Sequence, residues 1–195
     1  PSFGNVRANQ NPIPFLLPPV DLVENMVFVP TANFRTTING FAVKNIVMGD
    51  FLVDKFEVSN REFKEFVDQN GYQTENYWDG LEFREDGVLL SREEALAIFV
   101  DSTGRPGPAG WELGDHGDEE ADYPVTGISW YEAVAYAKFK GKELPSAYHW
   151  ARAAFGRGTV NAAIVELSNF DGIPVPIGST QAIGPYGALD MAGNV

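Results

Sequence analysis

The spacing of apolar and polar residues changes character along the chain, and the changes mark its elements. Met26-Val-Phe-Val29 is a short apolar run stopped by Pro30 and reads as a first strand. Phe41 to Val53 carries further short β-rich runs, with Gly49-Asp50 as a turn before Phe51-Leu-Val-Asp54. Then the period lengthens. Ser59-Asn-Arg-Glu62, Ser91-Arg-Glu-Glu94 and Ser129-Trp-Tyr-Glu132 each have the form of a capping box, in which the serine oxygen accepts from the amide three residues on and the glutamate reaches back. The first of these helices puts Phe63, Phe66 and Val67 on one face, and Gly71 stands where a left-handed cap ends it. The third runs from Tyr131 to about Lys140 and stops in the same way at Gly141. A fourth starts at Ser146, behind Pro145, and carries Tyr148, Trp150, Ala153 and Ala154.

Between the second and third helices lies a long loop, Asp101 to Tyr123, with Gly104-Arg-Pro-Gly-Pro108 and an acidic run from Asp115 to Asp122. After Gly158 the chain is loop-rich, with short apolar pieces at Ile164-Val-Glu-Leu167 and Ile173-Pro-Val-Pro-Ile177. Strands followed by helices and then irregular segments predict an α+β class, not alternating βαβ units. The expected core comprises Phe28, Phe51, Phe56, Phe63, Phe66 and Val125, with Trp130, Ala133, Tyr136, Leu144, Trp150 and Leu189. Residues 1–20 hold five prolines and no periodic pattern, so they read as an extended arm, draped over the body by Phe15, Leu16 and Leu17, ahead of a domain spanning 21–195.

Charge and composition narrow the functions. The 195 residues carry 14 Lys+Arg against 27 Asp+Glu, a net charge of −13, which repels nucleic-acid phosphates and anionic membranes and favours cations. With no cysteine among them, they offer no disulfide, no thiolate nucleophile and no cysteine-ligated metal. Two histidines, His116 and His149, argue against a multi-histidine metal centre. No apolar stretch is long enough to insert across a bilayer, and no basic-then-apolar leader opens the sequence.

Four ordered blocks carry a resemblance. Val27-Phe-Val-Pro30 with Asp54-Lys-Phe-Glu-Val-Ser-Asn60 is similar to the opening of the formylglycine-generating-enzyme-like family, the sulfatase-modifying-factor domain. Tyr123-Pro-Val-Thr-Gly-Ile-Ser-Trp130 with Glu132-Ala-Val-Ala-Tyr136 resembles its central block. Gly141-Lys-Glu-Leu-Pro-Ser-Ala-Tyr-His-Trp150 and Tyr186-Gly-Ala-Leu-Asp-Met-Ala-Gly-Asn-Val195 resemble the two that follow. The resemblance implies a C-type-lectin-like α+β fold with a small antiparallel sheet, two main helices and loops held by calcium. It implies an extracytoplasmic or cell-surface location. Around Tyr77-Trp78, Thr103 to Gly114 and Tyr148-His-Trp150 it is strongest to members fused to bacterial serine/threonine kinases, which implies a non-catalytic sensor that binds a protein, peptide or glycan. The alternative it implies is a piece of a copper oxidase whose cysteines lie beyond residue 195; these residues themselves bind no copper and have no catalytic group to name.

The resemblance also implies ligands. Asp190, with the carbonyls of Gly193 and Val195, matches one family calcium site, and Asn169-Phe170 matches the start of another; Ca²⁺ takes six to eight oxygens, and carboxylates mixed with loop carbonyls are usual. The expected outcome is at most one calcium, at Asp190, of modest affinity; the alternatives are that Asp190 caps a turn and that Asn169 opens an Asn-Phe-Asp-Gly turn. Trp78 and Trp111, in loops, are candidates to line a ligand groove, whereas Trp130 and Trp150, at helix starts, are expected in the core. His149 is either a groove residue or a satisfied surface group at the third position of its helix.

Overall fold

The computed structural model describes residues 25–38, 41–155 and 167–195, with side chains outside 34–45. The expected arm, residues 1–20, and most of the Ile164-Val-Glu-Leu167 piece lie outside the described residues.

Four strands come first. β1 (Met26–Val29) pairs antiparallel with β4 (Phe51–Asp54), Val29 opposite Phe51, and the hairpin of β2 (Ala32–Ile38) and β3 (Phe41–Met48) is inserted between them. β2 was not expected. Its sequence, Ala-Asn-Phe-Arg-Thr-Thr-Ile, is too polar to stand out, and it is a strand because β3 supplies its hydrogen-bond partners. A third two-stranded sheet joins β5 (Phe83–Glu85) to β6 (Val88–Leu90). Its two-residue turn has Asp86 and Gly87 at φ 47° and 83°, the mirror-image turn that suits the twist of a hairpin.

The helices begin where the local chemistry dictates. α1 (Asn60–Asp68), α2 (Arg92–Leu96) and α3 (Trp130–Phe139) each carry a complete capping box, from Ser59 with Glu62, Ser91 with Glu94 and Ser129 with Glu132. α4 (Ala147–Phe155) is the fourth. α3 ends as expected: Gly141, at φ 67°, donates to the Lys138 carbonyl while Lys142 donates to that of Ala137. α1 ends by the same pair of bonds but with Asn70, not Gly71, in the left-handed position, φ 59°. Gly71 is glycine for another reason: a Cβ there would run into the Phe66 ring.

The main core is aromatic. Phe63 and Phe66 of α1 are fully buried against Tyr72, Trp78, Phe83 and Trp111 and against Ala135 and Tyr136 of α3. A smaller cluster joins Met48 and Phe51 to Ala151 and Phe155 of α4. Of the expected core, Phe63, Phe66 and Tyr136 are buried, and Phe51, Phe56, Val125, Ala133 and Leu189 are half-buried. Phe28, Trp130, Leu144 and Trp150 are exposed, which corrects their assignment. The inward stripe of α3 is Glu132, Ala135, Tyr136 and Phe139, spaced three and four apart, so Trp130 falls on the opposite side of the helix. α4 meets the body through Ala151, Ala153 and Ala154, leaving its first turn and Trp150 outside.

Candidate functional site

The two expected groove tryptophans are core residues. Trp78 is 2% exposed and Trp111 4% exposed, and each indole N–H is satisfied inside, Trp78 Nε1 on the Gly71 carbonyl at 2.9 Å and Trp111 Nε1 on Asn60 Oδ1 at 3.1 Å. A loop that delivers a tryptophan with a waiting acceptor folds inward, since burying the ring is favourable once its N–H has a partner. His149 lies elsewhere, edge-on to Phe51 with ring centroids 4.8 Å apart. Its Nδ1 is 2.7 Å from Ser146 Oγ, which in turn accepts from the His149 amide, so serine and ring close on each other at the start of α4. The structure therefore does not bring Trp78, Trp111 and His149 to one surface.

The long loop is held from within. Burial alone would raise the Asp101 carboxyl, but hydrogen bonds from the Thr103 hydroxyl and the amides of Arg105, Gly114 and Thr103 outweigh it and keep the group near about 2. This carboxylate organises a loop.

Of the residues expected to hold calcium, Asn169, Phe170 and Gly193 meet around a polar network, Asp190 bonds to Gly178 and Thr180, and Val195 is exposed. Asn194, at φ 81°, donates its amide proton to the Asn169 carbonyl, and its side-chain oxygen accepts from Asn169 Nδ2 and the Val175 amide. Asn194 Nδ2 donates to Glu57 Oε2 at 2.6 Å, tying this loop to the segment after β4. Gly193 packs so tightly beneath Asn169 and Phe170 that a Cβ there would meet both. Asp190 is buried at φ 53°; one carboxylate oxygen accepts from the Gly178 amide at 2.9 Å and the other from the Thr180 hydroxyl. Asn169 Oδ1 accepts from the Asp171 amide, the bond of an Asx turn.

As arranged, the side-chain oxygens of Asp190 and Asn169 are engaged within the chain. The carboxylate oxygens of Asp190 and the side-chain oxygen of Asn169 already face donors of the chain itself, where a cation needs oxygens turned to one point. Among the described residues no group of three or more His, Asp or Glu side chains is placed to hold a metal. Asp190→Ala is accordingly expected to lower stability by about 2–3 kcal/mol, by orphaning two donors and placing alanine at positive φ. Added Ca²⁺ should leave the wild-type melting temperature unchanged. A concentration-dependent rise that disappears in Asp190→Ala would mean that calcium displaces Thr180.

Sequence reasoning missed Glu57 and Asn194, though both sit inside the family-like blocks, in Asp54-Lys-Phe-Glu57 and Ala192-Gly-Asn194. Burial raises the Glu57 carboxyl to about 7, the Asn194 hydrogen bond opposing and the Asp190 charge adding. A folded-state value above the unfolded one gives stability that is complete below about pH 4.3 and is lost as pH rises through about 7. Glu57→Gln keeps an oxygen for Asn194 and cannot ionise. Its melting temperature relative to wild type should therefore climb between pH 5 and pH 8, and a difference that stays constant with pH contradicts this assignment.

The fold defines an α+β domain of C-type-lectin-like architecture. The family described as "Sulfatase-modifying factor enzyme 1-like domain" matches residues 17–195, and the chain belongs to that family. It is 28% identical over 191 residues to the serine/threonine-protein kinase pkn1 of Chlamydia caviae, covering 91% of this chain and 28% of the kinase. It is 30% identical over 155 residues to the formylglycine-generating enzyme of Thermomonospora curvata, covering 71% of this chain and 51% of that enzyme. To the bovine inactive Cα-formylglycine-generating enzyme 2 it is 26% identical over 211 residues, covering 88% of this chain and 68% of that protein. The chain thus spans from about a quarter to about half the length of the first two relatives.

Proposed function

We propose that this domain is a non-catalytic recognition or sensor module whose ligand is a protein, peptide or glycan. The observation that carries this reading is the match to the chlamydial kinase, which takes in 91% of this chain but only 28% of the kinase. There the domain accompanies a protein named for phosphoryl transfer, and a second relative is named as an inactive member of the family. The residues agree with a binding role. The long loops around Asp101 and Asp190 are fixed by internal hydrogen bonds, which suits a rigid display surface.

The reading of this chain as part of a copper oxidase draws on the 30% identity to the Thermomonospora enzyme. The two readings separate in one assay on the natural full-length protein, which is incubated with copper(I), oxygen and a cysteine-containing sulfatase peptide, the product being analysed by mass spectrometry. The peptide should keep its thiol. Conversion of that cysteine to formylglycine would refute the proposal.

A further inference from the structure

At the edge of the aromatic core lies a pair of adjoining hollows between β6, α2 and the start of α3. The first, about 190 Å³, is walled by Phe83, Leu90, Ile98, Phe99 and Tyr131, with Arg84 and Glu85, an arginine paired to Glu82 and a carboxylate, also lining it. The second, about 290 Å³, shares Ile98 and Phe99 with it and runs over Gly107, Ala109 and Gly127. Each is smaller than the roughly 300 Å³ at which small-molecule sites begin, so each suits a piece of a chain more than a whole ligand.

The apolar surface extends past the walls. Along β5 and β6 side chains alternate, so Val88, opposite Glu85, lies on the same face as the Phe83–Leu90 pair that lines the first hollow. Val88 is 63% exposed and Ile98 47%, and Trp130, 60% exposed, stands edge-on to Tyr131 with ring centroids 5.4 Å apart. The walls are firm: the Tyr131 hydroxyl accepts from the Arg84 amide and donates to the Glu82 carbonyl, locking the hairpin to α3.

Charge selects the occupant. Glu85, Asp86 and Glu93 are exposed on the hairpin and α2, while Glu82 pairs with Arg84 at 3.4 Å, Glu94 is held in the Ser91 capping box and Arg92 pairs with Glu75 at 2.9 Å. A greasy trough with an acidic rim is complementary to an apolar side chain flanked by cations.

We propose that this trough binds an extended peptide segment of a partner protein, placing a large apolar side chain against Phe83, Leu90 and Ile98 and its flanking Lys or Arg residues along the acidic rim. The assignment rests on the recognition reading above and narrows it to a basic, apolar peptide.

Three fluorescent heptapeptides test it by anisotropy: Gly-Lys-Arg-Phe-Leu-Arg-Gly, a version with glutamate at the three basic positions, and a version with serine at Phe and Leu. Burying one such apolar side chain is worth about 1.5–3 kcal/mol, so the first peptide should bind roughly tenfold or more tightly than the third. It should exceed the second by a similar factor, and that advantage should shrink towards 1 M salt. Ile98→Arg should weaken the first peptide at least about tenfold, whereas Ile173→Arg, at an apolar position 74% exposed in another loop, should not. Melting curves of both variants establish that they remain folded. Equal affinity for all three peptides, equal loss from both variants, or no binding by any peptide overturns the trough as a peptide site. If the chain then still binds glycans or other proteins saturably, the recognition reading survives without it; if it binds nothing, both fall.

Discussion

Phe63→Ala is expected to lower the unfolding free energy by about 3–5 kcal/mol, the range for truncating a buried phenylalanine. Phe63 is wholly buried, stacked on Tyr136 at a centroid distance of 5.2 Å and set edge-on to Phe66 and Trp111. Its neighbours come from α1, α3 and the long loop, so the cavity cannot close by moving one side chain. Chemical denaturation should show an earlier midpoint with an unchanged slope. Phe63→Leu, which refills part of the volume, should lose less. A loss below about 1 kcal/mol for the alanine variant would mean that the aromatic cluster is not the principal core.

Glu132→Ala should cost about 2–4 kcal/mol, because a buried carboxylate here joins two structures at once. Its oxygens accept from the Ser129 amide, closing the capping box of α3, and from the Tyr72 hydroxyl at 2.6 Å. Removing it orphans both donors, the Ser129 amide and the hydroxyl of Tyr72, which is 2% exposed. Tyr72→Phe removes only one donor and should cost less, about 1–2 kcal/mol. Burial raises the Glu132 carboxyl despite these bonds, and burial together with the Glu132 charge raises the Tyr72 hydroxyl far above its ordinary range. For Glu132 the sign is that of Glu57: the stability linked to its protonation is greatest at low pH and declines as pH rises through its folded value. Denaturation of Glu132→Ala and Tyr72→Phe at one pH, against wild type, checks the ordering.

Some of this architecture is legible in the chain and some is not, and the boundary follows the range of the interactions. The capping boxes at Ser59, Ser91 and Ser129 and the glycine cap at Gly141 are decided within a few residues, so their chemistry can be read directly. Asn70 could take the position expected of Gly71 because asparagine also tolerates the left-handed region. The tryptophans reversed their expected places for a long-range reason. Trp111 is buried because Asn60, 51 residues earlier, offers an acceptor, and no local pattern records that. Trp130 is exposed because the stripe that α3 buries starts at Glu132, a charged residue that reads as surface until Tyr72 is placed beside it. At the candidate site, Asp190 and Gly193 share one family-like block, but Asn169 reads as part of a separate site, and its bonds to Asn194 exist only in the folded chain. What those atoms do there depends on Thr180, Gly178 and Glu57, which only the folded chain brings into reach.

Recognition without catalysis is tested most directly by equilibrium binding. The fluorescently labelled 195-residue chain is applied over a concentration series to glycan and peptide arrays, with unlabelled chain as competitor. A restricted set of features should bind saturably and be competed away, with no dependence on copper. If no feature on either array binds saturably, the chain is not a recognition module for those ligands and the account is contradicted.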